Sequence, residues 1–266
     1  VAKIHAPGLN VMYGDAKDNI AWFAAAKLYQ LRDSVSSKTY LDGASGKDEI
    51  LEILPFEENP QAINPSRNYV YSANHQPDSV RGKLYPGYYQ PEDRSKRIVE
   101  LLEAKNDFTK KDVAKMIYDV KSSNVSQIAN DLLAIVNDSD FSVSQKKAVS
   151  ILKNWDGTYS KTAVGATIYN RFLYEFLVNT FKDELGDGFE LFINSQLQDQ
   201  VLPNQISIEN SVWWDNISSK NKTETRAEIV TTSFKNAFSF LENQLGANVE
   251  DWLWKRVISI EHEHAI

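Results

Sequence analysis

The chain has 266 residues, 42% hydrophobic and 11% aromatic, enough for one full core and, at roughly 100–200 residues per domain, for a second. Its 29 Lys and Arg against 36 Asp and Glu leave a formal net charge of -7, which excludes a sequence-independent grip on nucleic acid, since that needs many cations facing phosphates. No cysteine is present, so disulfides and thiolate chemistry are excluded within these residues, and no apolar run approaches the ~18 residues of a transmembrane helix.

Residues 9–29 place apolar and aromatic stretches on either side of a polar, Gly-containing loop at 14–19, which predicts a β-hairpin. Residues 30–66 carry turn residues and the steps Leu54-Pro55, Asn59-Pro60 and Asn64-Pro65, and are expected to be mostly irregular. Asn68 to Ala73 predicts a short buried strand that delivers Asn74 to its end.

From about residue 92 the apolar period changes from 2 to 3.6. Ile98, Leu101 and Leu102 follow one face, then Val113, Met116, Ile117 and Val120, then Ile128, Leu132, Ile135 and Val136. Thr109 with Asp112, and Ser142 with Gln145, have the spacing of capping boxes. Further helices are expected over 163–184, over 189–198 between Gly188 and Pro203, and over 224–245 with Gly246 as C-terminal cap. Residues 257–262 return to strand chemistry. The fold class is therefore α+β with helix predominant, a single connected unit with a strand- and loop-rich part (1–91), a helical part (92–254) and a closing strand (255–266). The chain opens Val1-Ala2-Lys3 without a signal peptide in residues 1–30 and stops soon after that strand-like run, so a piece of a longer polypeptide is expected.

Few residues carry chemistry on their own. His262 and His264 sit at i and i+2, so in a strand both imidazoles share a face, but a zinc site needs a third ligand, and neither His5 nor His75 has ligand spacing around it. Asp156-Gly157 after Trp155 reads as a turn, Asn74 as a turn residue or a polar group presented at a strand end, and Arg94 as a charge at a helix start. Trp213-Trp214 receives no role. No GxSxG elbow, P-loop, GxGxxG or HExxH occurs.

Taken in order, these short features are more specific. Ala6 to Asp15 followed by Asp18-Asn19-Ile20, Leu54-Pro55-Phe56-Glu57 with Asn64-Pro65, and Tyr69 to Pro77 resemble successive blocks of the penicillin acylase (penicillin amidase) family. Asp93-Arg94 with Arg97-Ile98, Leu152 to Gly157, and Trp252 to Lys255 through His264 resemble later blocks of the same family, so the likeness runs over nearly all of residues 6–264. Such proteins are N-terminal nucleophile hydrolases with an αββα sandwich, in which a Ser or Cys freed by self-cleavage attacks a linear amide and its own α-amine serves as base.

The resemblance implies that Asn74 is an oxyanion-hole donor and that Arg94 supports both that asparagine and the nucleophile's amine. It implies a small-molecule amide substrate, such as an acylated β-lactam nucleus or an acyl homoserine lactone, and a periplasmic or extracellular parent protein. The remaining segments of the same precursor are the expected partners, with neither nucleic acid nor a membrane among them. The nucleophile is expected upstream, because Val1 has no nucleophilic side chain, and the piece by itself is expected to be inactive. His75 stands where the family has a second asparagine, and Arg81-Gly82-Lys83-Leu84 stands where some members supply an aspartate to calcium. No cofactor is expected in this chain, and calcium is left to the full-length protein. On this reading Asn74 and Arg94 meet, with Arg94 buried beside a polar cavity. The alternative, a noncatalytic helical interaction domain, expects no such meeting.

Overall fold

A polar loop between two apolar stretches folds the chain back on itself near its start. The computed structural model describes residues 1–4, 8–36, 39–82 and 84–259. Strand β1 (Leu9–Gly14) pairs antiparallel with β2 (Ile20–Ala25), in register from Leu9 opposite Ala25 to Gly14 opposite Ile20. Asp15 closes the loop: its carboxylate accepts from the backbone N–H groups of Lys17 at 2.8 Å and Asn19 at 3.0 Å, and from the Asn19 side chain at 2.9 Å. Those bonds, the ones from Asn19 above all, favour the charged form and hold the Asp15 pKa down to about 2.

The stretch expected to be irregular contributes short strands. β3 (Tyr29–Gln30) pairs with β4 (Glu52–Ile53), and β5 (Gln61–Ile63) pairs with the other side of β2, giving a three-stranded sheet in the order β1-β2-β5. Asn59 is buried and its side-chain NH₂ donates to the carbonyls of Ala24 and Ala26, both at 2.9 Å. Arg81, in the left-handed region with φ +51°, gathers three separate segments: it donates to Gln30 Oε1 at 2.9 Å, to Glu52 Oε1 at 2.5 Å and, by two nitrogens, to the Glu58 carboxylate. Residues 68–73 do not form the expected strand, because no described strand lies alongside to complete a ladder. Helix α1 (Asp93–Glu103) follows, with the Tyr69 hydroxyl donating to Glu103 at 2.9 Å.

The chain divides into two compact units, Val1–Asp107 and Phe108–Ile266, and α1 groups with the strands. The second unit is helical: α2 (Lys110–Ile117), α3 (Val125–Ile135), α4 (Val143–Lys153), α5 (Val164–Leu185), α6 (Phe189–Ile193), α7 (Leu197–Ser207) and α8 (Arg226–Leu245). Thr109 with Asp112 and Ser142 with Gln145 form the expected capping boxes, Thr225 with Glu228 forms a third, and Gly246 (φ +95°) ends α8. α5 is apolar around much of its circumference and lies in the middle of the core, where Phe172, Phe176, Phe234, Trp214 and Trp252 are fully buried. Trp155 to Gly157 is the turn that the sequence suggests. Gly157 has φ +86°, and a Cβ there would lie 2.4 Å from the Ser122 carbonyl oxygen.

Two boundaries differ from expectation. Pro203 lies inside α7 rather than ending a helix before it: the missing N–H removes one rung, and burial of Leu202, Gln205 and Ile206 carries the helix through. At the far end, Trp254–Arg256 is a 3₁₀ turn and 257–259 pair with no strand, while residues 260–266, with His262 and His264, lie outside the described residues, as does His5. No described helix is long and apolar enough to cross a membrane.

Candidate active site

The asparagine and the arginine singled out by the resemblance meet within the first unit. Asn74 follows buried Ala73 and adopts φ +60°, a left-handed conformation that asparagine tolerates better than most side chains. Its carbonyl accepts from the Gln90 N–H at 2.8 Å, which fixes the loop between them. Arg94 stands in the first turn of α1, and its Nη2 donates to the Ala73 carbonyl at 2.7 Å and to Asn74 Oδ1 at 2.8 Å. Because a guanidinium only donates, it must face the amide oxygen, and this settles which way the asparagine points. Asn74 Nδ2 is therefore the open end, an N–H donor with no partner among the described residues.

One expectation needs correction. Arg94 is exposed rather than buried, because only Nη2 engages the chain and no described element packs over the rest of the guanidinium.

Asn74 lines a cleft of about 480 Å³ together with Trp22, Tyr71, His75, Tyr85 and Tyr89. The wall is built from polar-tipped aromatics: the Tyr29 N–H donates to the Tyr85 hydroxyl at 3.0 Å, and the Gln76 side chain donates to the Tyr85 carbonyl at 3.1 Å. Burial raises the pKa values of Tyr85 and Tyr89, so both phenols are neutral donors or acceptors at pH 7. His75 stacks on Tyr71 with ring centroids 5.2 Å apart and planes 7° from parallel. Burial lowers its pKa, with a smaller contribution in the same direction from Arg67 and opposing ones from Glu92 and Asp78, so its imidazole is neutral at pH 7.

The other candidates are not brought to this cleft. Asp156 accepts from the Thr158 N–H at 3.0 Å and pairs with Lys121 at 3.1 Å, as a turn residue does. Trp214 is buried in the helical core with its indole N–H on the Ile208 carbonyl, and Trp213 packs on Phe181. Among the described residues no three His, Asp or Glu side chains come together as metal ligands, and the Glu52 and Glu58 carboxylates are paired with Arg81. His75 was visible in the sequence only as a departure from a motif. The signal that would have raised it is the run of aromatics, Tyr69, Tyr71, Tyr85, Tyr88 and Tyr89, on both sides of it.

Comparison with known proteins identifies the family and the fold. The penicillin amidase family profile matches residues 1–266. The acyl-homoserine lactone acylase QuiP of Pseudomonas aeruginosa is 25% identical over 97% of this chain, which spans 32% of that protein. QuiP of Pseudomonas fluorescens is 24% identical over 99% of this chain, which spans 34% of it. The thermostable penicillin G acylase of Alcaligenes faecalis superposes with a TM-score of 0.69 at 18% identity, covering 93% of this chain and 49% of that one, so the fold is shared. The chain thus spans about a third of the length of the curated relatives it matches.

Proposed function

Because this chain belongs to the penicillin amidase family, we propose that it is part of an enzyme that hydrolyses a linear amide, with Asn74 as oxyanion donor and Arg94 as its positioning residue. The substrate joins an acyl group to a small amine such as a homoserine lactone or a β-lactam nucleus. The nucleophile, a terminal Ser or Cys, belongs to another segment of the same precursor.

The chemistry assigned to these residues is specific. The nucleophile's oxygen or sulfur adds to the amide carbon while its proton passes to the terminal amine, and the carbonyl electron pair moves onto oxygen. Asn74 Nδ2 donates to that oxygen as its charge develops, an interaction that strengthens towards the transition state and so lowers the barrier. Collapse breaks the C–N bond, the leaving amine takes the proton, and water then releases the acid. Arg94 keeps the amide from flipping its oxygen into the hole, and its exposed positive edge is available to groups from the rest of the precursor.

The observation that carries this reading is the 2.8 Å bond from Arg94 to Asn74 Oδ1, which leaves Nδ2 open. A helical interaction domain gives no reason for an arginine to orient that amide. In the full-length processed protein, Asn74→Ala is expected to lower kcat about 100- to 1,000-fold with little change in KM, the usual cost of removing one oxyanion donor. The assay is initial rates on an acyl homoserine lactone and on a chromogenic phenylacetyl anilide, and turnover within twofold of the parent would overturn the reading.

A further inference from the structure

We propose that His75 is a second donor of the same cleft, contributing its Nε2–H to an oxygen on the amine portion of the bound amide. The inference rests on the reading of the cleft given above and adds a specificity-determining residue to it.

Backbone geometry puts both side chains in one place. In an extended chain, successive side chains point to opposite faces, so a residue next to Asn74 would ordinarily turn away from it. The left-handed conformation at Asn74 breaks that alternation, and Asn74 and His75 line the same cleft.

The imidazole's two nitrogens stand in different surroundings. Nδ1 is buried and has no hydrogen-bond partner. A proton placed there would be an orphan buried N–H, which folded proteins avoid more strictly than an under-used acceptor. The proton therefore sits on Nε2, the nitrogen left on the accessible edge of a ring whose flat face lies against Tyr71. No described residue takes that N–H, so it is free for a ligand. Removal of the ring from water lowers its pKa against the opposing pull of Glu92 and Asp78, with Arg67 adding a smaller push in the same direction, and keeps it uncharged near neutrality.

Substrate chemistry decides what it meets. The scissile oxygen is the acceptor for Asn74, and an aliphatic or phenylacetyl group offers no other. An acceptor beside it must come from the amine fragment: the ring carbonyl of a lactone or the carboxylate of a β-lactam nucleus. An anilide has none.

The test uses the full-length processed enzyme, with one acyl chain on homoserine lactone and on an anilide. His75→Phe, which keeps the stack on Tyr71 and removes the donor, is expected to raise KM for the lactone about tenfold relative to the anilide, with kcat moving less than KM. His75→Asn, which restores a donor that does not titrate, recovers most of that ratio and removes the change in lactone KM that the parent shows as pH falls below its imidazole pKa. Nitrogen-15 NMR of the parent reports the tautomer directly, whatever the variants do, and is expected to find the proton on Nε2. A proton on Nδ1, or an unchanged lactone-to-anilide KM ratio in His75→Phe, overturns the inference; if Asn74→Ala is inactive in the same assays, the reading of the cleft survives that result. An active Asn74→Ala removes both.

Discussion

The two compact units are held together by different means. Residues 108–259 bury a continuous set of aromatic and aliphatic side chains, with Phe172 crossing Phe234 edge to face at 5.3 Å and Phe238 against Trp252 at 5.2 Å. Residues 1–107 bury few large apolar groups, and β1 leaves Leu9, Met12 and Tyr13 about half exposed. Order there comes instead from Asp15, which closes its own loop, and from Asn59, Asn64 and Arg81, each tying backbone or charge from a separate stretch. Apolar packing tolerates salt and pH but is lost when volume is removed; polar ties tolerate loss of volume but depend on charge and direction. The unit built on polar ties is also the one that presents open donors to a cleft.

The largest expected effect breaks the helical side of this contrast. Phe172→Ala removes a fully buried ring and should cost about 3–5 kcal/mol, read as a fall in the unfolding midpoint of the helical unit by calorimetry. Gly157→Ala forces a Cβ onto the Ser122 carbonyl at a positive φ, and a destabilisation of ~1–3 kcal/mol is expected in denaturant unfolding. Asn59→Ala tests the polar side: it removes a buried side chain whose two N–H groups serve part-buried carbonyls and should cost about 1–3 kcal/mol, with hydrogen exchange rising in the first unit and not the second.

The smallest effects have opposite signs in the two units. The Asp15 pKa is lowered to about 2, so its contribution is present above the ordinary carboxylate range and is lost as pH falls from about 4 towards 2. Burial, then a hydrogen bond with Asp183, raises the Glu184 pKa to about 7. The folded state holds that proton more tightly than the unfolded one, so stability contributed at Glu184 is present below about pH 4.5 and is lost as pH rises through about 7. Both carboxyls keep contact with water, so each effect is a small slope. Asp15→Asn should flatten the first and Glu184→Gln the second in a pH series of thermal midpoints, and a common slope in both units would erase the distinction.

What the sequence reveals follows the same division. Thr109 with Asp112, Ser142 with Gln145, Gly246, and the polar loop between β1 and β2 are local signals, satisfied by atoms a few residues away, and the structure places them as expected. The pairing of β3 with β4, and the failure of 68–73 to pair, depend on which strand lies alongside, which no local pattern records. Pro203 carries a real boundary signal that burial of its neighbours overrides. For the cleft, resemblance supplied Asn74 and Arg94, whereas the orientation of the amide and the orphan nitrogen of His75 needed coordinates.

Arg81 carries one more consequence. Its bonds to Gln30, Glu52 and Glu58 join positions 51, 29 and 23 residues away along the chain, the spans over which other proteins set covalent cross-links. In a chain without cysteine, one guanidinium holds three loops shut at once, and the ordering of a single side chain serves all three closures. Unlike a disulfide, this clasp is indifferent to reductant and opens as ionic strength rises. Its tightness is set by the salt around the protein.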